Sequence, residues 1–190
     1  GLPDPADLGK LTADLKLYHE DTLALTNADK IDMARRAERA ALDADPRINN
    51  TEGASFDSGV GLRAFANSRG FTGSYRYTTC SLVAVPVARN GDSMERDHWV
   101  TAGRSAAELE DPESVGRKAA ERVLRRLNPR KVATQKCPVV FDRRMSRSLV
   151  GHLFEAASGS AIYRKSSFLV DKLGHDIATP SLTLIDDATI

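Results

Sequence analysis

The sequence predicts an α+β fold, in which two helices cover one face of an antiparallel sheet and the start of a second α/β unit follows. Apolar residues alternate with a period of two between Thr51 and Gly103, which is typical of strands. The segments before and after that region repeat their apolar residues at helical spacing. Short turn segments with residues that tolerate positive φ separate the strands, and such turns join antiparallel neighbours.

Two segments have the start, the spacing and the end of amphipathic helices. The first, over residues 27–44, begins after Thr26, which can form a capping box with Asp29, and ends before Pro46. The second, over residues 112–127, has an aspartate cap and a first-turn proline, and it ends before another proline. Their apolar stripes are Ile31, Ala34, Ala37 and Ala41 in the first helix and Val115, Ala119, Val123 and Leu127 in the second.

The region of period two is predicted to form an antiparallel meander. The predicted strands are 52–58, 60–67, 71–88 and 94–102. Turns at residues 67–70 (NSRG) and 89–92 (RNGD) predict hairpins. One side of the second strand carries Val60, Leu62, Ala64 and Ala66, which we expect the helix stripes to cover.

The rest of the chain predicts a strand at 137–141, a helix over 145–157 and a last strand near 182–185. Residues 128–136, with a proline among charged and amide side chains, are the candidate domain boundary. We therefore divide the chain into three segments. They are 1–21, a linker from a missing N-terminal region; 22–131, a central α+β domain; and 132–190, the start of a C-terminal domain.

Composition excludes several classes of protein. Lys plus Arg total 27 and Asp plus Glu total 26, and a net charge of +1 does not support a purely electrostatic function. Cys80 and Cys137 have neither disulfide-framework nor zinc-module spacing, which favours a reducing compartment. No apolar run approaches the roughly 20 residues that span a bilayer, and the first residues do not resemble a signal peptide. The sequence predicts a soluble cytoplasmic protein.

Two glycine-containing segments resemble nucleotide-binding motifs. Residues 59–64 (GVGLRA) match a degenerate dinucleotide fingerprint, but strand alternation follows where a helix is required, so a glycine-rich strand start is favoured. Residues 159–166 (GSAIYRKS) nearly match a phosphate loop, but Arg164 replaces the second glycine and a helix precedes the segment. We interpret this segment as a basic, serine-rich turn that contacts a ligand or a partner.

Two polar sets have both functional and structural interpretations. Ser148, His152 and Glu155 share one helix face. Their functional interpretations are a hydrolase triad or, for His152 and Glu155, half of a metal site. Their structural interpretation is a polar surface or a subunit contact. Residues 117–131 are strongly basic, which suggests a nucleic-acid or gyrase-associated regulator as an alternative function. A solvated helix face is favoured there, because no stacking aromatic is interleaved.

Three stretches together resemble the TldD/PmbA family, in its PmbA (TldE) branch. They are residues 45–54 (DPRINNTEGA), 128–132 (NPRKV) and, most distinctively, 151–169 (GHLFEAASGSAIYRKSSFL). The resemblance extends from about Asp21 to the C-terminus. Family members are more than twice this length, so the chain looks like an internal fragment.

The resemblance implies a cytoplasmic bacterial metallopeptidase of two related subunits, TldD-like and TldE-like. The family acts on unfolded or extended peptides in proteolysis, including microcin maturation, and is linked to antitoxin turnover. TldD-like chains carry a His-Glu-x-x-x-His zinc motif. Alignment on residues 164–168 places Val150, Gly151 and Glu155 at the His, Glu and His positions, and His152 is out of register. Val150 and Gly151 have no zinc donor.

The resemblance therefore implies a non-catalytic partner subunit. No catalytic and no metal residue can be assigned in this chain, no cofactor is expected in it, and zinc is expected in the TldD-like partner. Membrane association is not expected, and binding of nucleic acid is disfavoured. The residues predicted to contact a peptide or the partner are Gly159, Ser160, Arg164 and Lys165, because small residues permit close backbone approach and the cations can meet a carboxylate.

Overall fold

A computed structural model describes residues 4–7 and 14–187 of the chain. The chain forms two compact units, and the division between them falls between Lys131 and Val132. This division lies inside the segment 128–136, where the sequence predicts a domain boundary. The assignment of the three predicted segments to domains of a longer protein stays a prediction.

The first unit contains an antiparallel sheet and helices. Its described α-helices and strands are α1 (Glu20–Ala24), α2 (Asn27–Leu42), β1 (Ile48–Ala66), β2 (Thr72–Asn90), β3 (Ser93–Arg96), β4 (Trp99–Gly103) and α3 (Pro112–Arg126). β2 pairs with β1 on one edge and with β4 and β3, one after the other, on its other edge. The predicted α+β class with an antiparallel sheet is confirmed.

The two predicted long helices form where their caps indicate. Thr26 Oγ1 accepts a hydrogen bond from the Asp29 N–H at 3.2 Å, and the Thr26 N–H donates to Asp29 Oδ2 at 2.8 Å. At the start of α3, Asp111 Oδ2 accepts from the Ser114 N–H at 3.2 Å. These bonds satisfy backbone donors that a helix start leaves unpaired. No helix in the described ranges is long and apolar enough to cross a membrane.

Helices α2 and α3 cover one face of the sheet and enclose its core. One cluster contains Ala37, Leu82, Ala84, Val115 and Ala119, and a neighbouring cluster contains Ile48, Ala88, Ala120 and Val123. Phe56 and Ala54 of β1 pack against the first cluster, opposite Leu82 and Ala84. The stripes predicted for both helices thus supply the core, although Ile31 lies at the exposed end of its stripe.

The strand boundaries differ from the prediction. Residues predicted as two strands, 52–58 and 60–67, form the single strand β1, which continues through Gly59 and Gly61. A Cβ at position 61 would lie 2.3 Å from the Tyr77 ring, so the glycine accommodates a side chain that crosses between the strands. The segment predicted as strand 94–102 is divided into β3 and β4.

The helices do not cover the strand face that the alternation led us to expect. Val60 is 53% exposed and Leu62 is 68% exposed, and Ala64 and Ala66 are also exposed. These residues lie in the outer half of the β1–β2 hairpin, past the part of the sheet that α2 and α3 pack against. The prediction was wrong because alternation identifies a face but not how far a helix extends along it. We call residues 58–79 the distal ribbon.

The segment before α2, predicted in part to be a linker, is attached to the sheet over residues 17–22. Leu17 O accepts from the Thr78 N–H at 2.9 Å, on the edge of β2 beyond β4. In the short helix α1, buried Thr22 donates to Arg104 O at 3.0 Å, and Asp21 Oδ2 accepts from Ser105 Oγ at 2.5 Å. The helix α1 was not predicted, because one turn is too short for a periodic signal.

The second unit contains α4 (Arg143–Ala157) and α5 (Gly159–Tyr163), followed by turns. The helix predicted over 145–157 is confirmed. The strands predicted at 137–141 and 182–185 are wrong, since both segments lack regular structure. A strand needs a neighbour that supplies backbone hydrogen bonds, and the described residues of this unit offer none.

Candidate functional site

The four residues predicted to contact a peptide or a partner lie on α5 and its end. Ser158 separates α4 from α5, and its Oγ accepts from the Ala161 N–H at 3.3 Å. Gly159 and Ser160 begin α5, and Arg164 is its C-cap. Lys165 follows with a φ of +53°, in the left-handed region. The structure therefore brings all four onto one five-residue helix and its C-terminal cap.

Backbone hydrogen bonds hold this segment in place. The Lys165 N–H donates to Ile162 O at 3.0 Å, and the Ser166 N–H donates to Ala161 O at 3.0 Å. Ser167 Oγ donates to Ala156 O at 2.6 Å and so connects the segment to the end of α4. These contacts fix the positions of both cations without using their side chains.

Both cations of the segment are available to a ligand. Arg164 and Lys165 are exposed, and no carboxylate of the described residues lies within ion-pair distance of either side chain. Adjacent cations of this kind can bind a carboxylate by charge-assisted hydrogen bonds. A Cβ at Gly159 would meet no atom within 4 Å, so close packing in the described structure does not require this glycine.

The nucleotide-binding interpretations do not fit the structure. Residues 59–64 lie in the middle of β1, so no helix N-terminus is present there to hold a pyrophosphate. Residues 159–166 form α5 and its cap, and α4 precedes them in place of the strand that a phosphate loop requires.

The side chains of the candidate triad do not assemble. Ser148 Oγ donates to Met145 O at 2.6 Å, which is a local bond within α4. His152 and Glu155 are exposed, and neither forms a hydrogen bond with Ser148 among the described contacts. Without a base that accepts the hydroxyl proton, the serine is not an activated nucleophile.

The residues of α4 do not fit a zinc ion. Val150 and Gly151, which the resemblance aligns with two positions of the zinc motif, have no nitrogen, oxygen or sulfur in their side chains. Over residues 4–7 and 14–187, no three His, Cys, Asp or Glu side chains form a group that could hold a metal.

The basic segment 117–131 is partly neutralised by carboxylates, one of which lies within it and three on neighbouring elements. Four of its cations form ion pairs: Lys118 with Glu110 at 2.7 Å, Arg122 with Asp97 at 3.3 Å, Arg126 with Glu95 at 3.4 Å, and Arg125 with Glu121. Lys118 and Arg122 also lie against the Trp99 ring. These contacts favour the structural interpretation of the segment over a phosphate-binding surface.

Sequence reasoning missed the distal ribbon as an exposed surface. The alternation led us to place Val60 and Leu62 under the helices, whereas both side chains are exposed. A signal was present: residues 58–79 contain no Asp, Glu or Lys, but they contain three arginines and four aromatic residues.

Comparison with known proteins places the chain in a family. Residues 20–127 match the PmbA/TldA metallopeptidase central domain, and residues 134–190 match the C-terminal domain of the same family. The chain therefore belongs to the PmbA/TldD family of metallopeptidases.

The curated relatives include two bacterial PmbA proteins. The chain is 44% identical over 184 residues to the metalloprotease PmbA of Escherichia coli O157:H7, and the match covers 97% of this chain and 40% of the relative. It is 38% identical over 177 residues to the PmbA homologue of Haemophilus influenzae, and the match covers 93% of this chain and 39% of the relative. The chain thus spans about two fifths of the length of these relatives.

Solved structures share the fold. A Bacteroides thetaiotaomicron protein, described as a proposed modulator of DNA gyrase, has a TM-score of 0.83 and 35% identity, over 94% of this chain and 41% of that chain. TldE from Thermococcus kodakarensis has a TM-score of 0.64 and 18% identity, over 90% of this chain and 38% of that chain. The second likeness shows the fold alone.

Proposed function

We propose that this chain is part of a TldE-like subunit that holds no zinc and completes a two-subunit metallopeptidase with a TldD-like partner. The observation that carries the proposal is the composition of α4. The resemblance aligns Val150, Gly151 and Glu155 of this helix with the His, Glu and His positions of the zinc motif. Amide hydrolysis needs an activated nucleophile and stabilisation of the developing oxyanion. A single carboxylate supplies neither.

The role proposed for this subunit is to bind substrate and to complete the assembly. Exposed Arg164 and Lys165 would contact carboxylate or carbonyl groups of an unfolded or extended peptide, or of the partner. Peptide maturation and degradation in the cytoplasm, including microcin processing and antitoxin turnover, is the setting proposed by resemblance. The zinc would belong to the TldD-like partner.

A reconstituted peptidase assay tests the division of labour. The full-length protein that contains this chain, the TldD-like partner, and their mixture are each incubated with an unfolded peptide. We expect cleavage in the mixture alone and its loss on addition of a chelator. Chelator-insensitive cleavage by the full-length protein alone would overturn the proposal and restore the Ser148 hypothesis.

A second arm of the same assay tests the proposed contact residues. Arg164→Glu should lower the cleavage rate of the mixture at least tenfold, because it reverses the charge that meets a carboxylate. Lys172→Glu, an exposed cation in the same unit, is the matched control and should change the rate less than twofold. Equal effects of both substitutions would remove Arg164 from the site.

Elemental analysis tests the absence of a zinc site directly. The purified full-length protein should contain well under one zinc per chain, because two motif positions lack a donor. About one zinc per chain that is lost in the His152→Ala variant would contradict this expectation. Zinc that survives this substitution but is lost with His19, His98 or His175 would be adventitious.

A further inference from the structure

The distal ribbon has the composition of a protein interface. Its three arginines, two tyrosines and two phenylalanines occur without any Asp, Glu or Lys between residues 58 and 79. Protein interfaces are enriched in Tyr, Phe and Arg and depleted of Lys, Glu and Asp. Because acids and bases are balanced over the whole chain, the local charge of +3 is a departure from its average.

Both faces of the distal ribbon expose apolar side chains. The cross-strand register places Leu62 opposite Arg76 on one face and Arg63 opposite Tyr75 on the other. Leu62 is 68% exposed, Phe65 is 51% exposed and Tyr75 is 49% exposed. A two-stranded hairpin is only marginally stable in water when nothing covers it. The ribbon also has about the 20 residues that one side of a standard interface contributes.

The aromatic side chains of the ribbon are organised in advance of any partner. The ring centroids of Phe65 and Phe71 are 5.8 Å apart, and those of Tyr75 and Tyr77 are 6.4 Å apart. Because Gly61 has no Cβ, the ring of Tyr77 can cross directly over it. Rings held in this way lose little conformational entropy on binding.

The ribbon arginines have no acidic partner in the described part of the chain. No carboxylate there lies within ion-pair distance of Arg63, Arg69 or Arg76, whereas four cations of the basic segment 117–131 are paired. Arg76 is oriented by Tyr18, to whose Oη it donates at 2.6 Å and above whose ring its guanidinium lies at 4.0 Å. These charges would be complemented by carboxylates of a bound protein.

We propose that the distal ribbon is the arm by which this subunit docks into its partner subunit, in a groove lined by apolar side chains and carboxylates. This inference rests on the proposed function, which supplies the partner. A protein is favoured over a nucleic acid because Val60 and Leu62 expose large aliphatic side chains next to the arginines. The absence of lysine and the apolar character of both faces also differ from a phosphate-binding surface.

The test measures the affinity between the full-length protein that contains this chain and the TldD-like subunit by isothermal titration calorimetry. Arg63→Glu and Leu62→Ser alter opposite faces of the ribbon, and each should weaken binding at least tenfold. Arg117→Glu is the matched control, since Arg117 is an exposed cation on α3 outside the ribbon, and it should change the affinity less than twofold. Circular dichroism melting of each variant verifies that the exposed substitutions leave the fold intact.

The outcomes separate this inference from the proposed function. If the wild type binds the partner and both ribbon variants bind equally well, the docking arm is wrong and the two-subunit function stands. If the wild type does not bind the partner and cleaves peptide alone, both proposals fail.

Two further outcomes would assign the ribbon to another occupant. Salt-sensitive binding of a single-stranded oligonucleotide, lost in Arg63→Glu while partner affinity is unchanged, would identify a nucleic-acid surface. Self-association of the isolated wild type, lost in the same variant while partner affinity is unchanged, would identify a second copy. Either result overturns the docking arm.

Discussion

At the scale of single residues, the approach of α3 to α2 depends on Gly116. This glycine is buried on α3, and a Cβ added to it would lie 2.1 Å from Ala37 O and 2.9 Å from Ala41 N. Both contacts are with backbone, which cannot move aside without displacing the helix. The absence of a side chain at this position is therefore a condition for the core around Ala37 and Val115.

Substitution of Gly116 tests whether the close approach of α3 to α2 requires a residue without a side chain. Gly116→Ala should lower the free energy of unfolding by about 2 kcal/mol, the usual effect of overpacking. Urea denaturation followed by the fluorescence of Trp99 measures it. In the control Gly59→Ala, the new Cβ lies 3.6 Å from Thr79 Oγ1, an ordinary contact, and the change should stay below about 1 kcal/mol. Equal losses in the two variants would contradict the interpretation.

A second residue-scale feature is the ion pair that joins α2 to the start of α3. Arg36 Nε donates to Glu113 Oε1 at 2.6 Å, and Arg36 Nη2 donates to Glu113 Oε2 at 2.8 Å. The hydrogen bonds from Arg36 are the main reason that the pKa of Glu113 falls from 4.5 to about 2. Since the folded pKa is lower than the unfolded one, the stabilisation is present above about pH 4.5 and is lost as pH falls through about 2.

Removal of the guanidinium tests this linkage. In Arg36→Met, the pKa of Glu113 should rise toward 4.5, which an NMR titration of its side-chain carboxyl measures directly. The stability difference from wild type should be present at pH 7 and disappear between about pH 4.5 and pH 2. Arg35→Met, which removes the neighbouring exposed arginine, should leave the Glu113 pKa unchanged. A shift of similar size in both variants would show that the paired geometry is unimportant.

At the scale of elements, β1 and β2 each have an inner half that packs under the helices and an outer half that the helices do not cover. Their inner halves contribute Phe56, Leu82 and Ala84 to the core under α2 and α3. Their outer halves form the distal ribbon, where most side chains are exposed, although Thr78 at its inner end is buried and bonded to Leu17 O and Arg104 O. The alternation in sequence is the same in both halves, so the sequence predicted strands throughout. How far the helices reach along the strands is a property of packing, and the prediction failed for this reason.

Hydrogen exchange should reveal this division within single strands. Amides of β2 that pair with β1 in the distal ribbon should exchange at least tenfold faster than those near Leu82 and Ala84, because local opening of the ribbon disrupts no core. Hydrogen–deuterium exchange with mass spectrometry resolves the two halves by peptide. Uniform protection along β2 would show that the ribbon is stabilised by contacts absent from this structure.

At the scale of the whole molecule, the chain consists of two units that differ in their cores. The first buries two clusters of apolar residues between helices and sheet. In the described part of the second, Ala161 is the buried apolar residue, and large side chains such as Phe154 and Phe168 are exposed. Between α3 and α4, residues 128–142 lack regular structure and are exposed.

Limited trypsin digestion tests the division into units. The first cleavage of the 190-residue chain should follow Arg130, Lys131 or Lys136, because proteases act on exposed chain without regular structure. Intact-mass analysis at early times identifies the site. Arg69 is an internal control: it is exposed, but it lies in a turn where Asn67 Oδ1 accepts from the Arg69 and Phe71 N–H groups. Earlier cleavage after Arg69 would contradict the division proposed here.

The sequence alone determined the fold class, the two long helices of the first unit, the helix α4 and both hairpin turns. Caps, apolar spacing and turn residues are local signals, so they are readable without tertiary contacts. The α4 residues Val150 and Gly151 likewise lack zinc donors whatever the fold.

Tertiary structure decided what these elements cover. Alternation could not show that Val60 and Leu62 extend beyond the helices, because coverage depends on where distant segments pack. It also could not show that cations of residues 117–131 are neutralised by acids from outside that segment, which are Asp97, Glu95 and Glu110. Short apolar runs at 137–141 and 182–185 resemble strands in sequence, but a strand exists only when a neighbour pairs with its backbone.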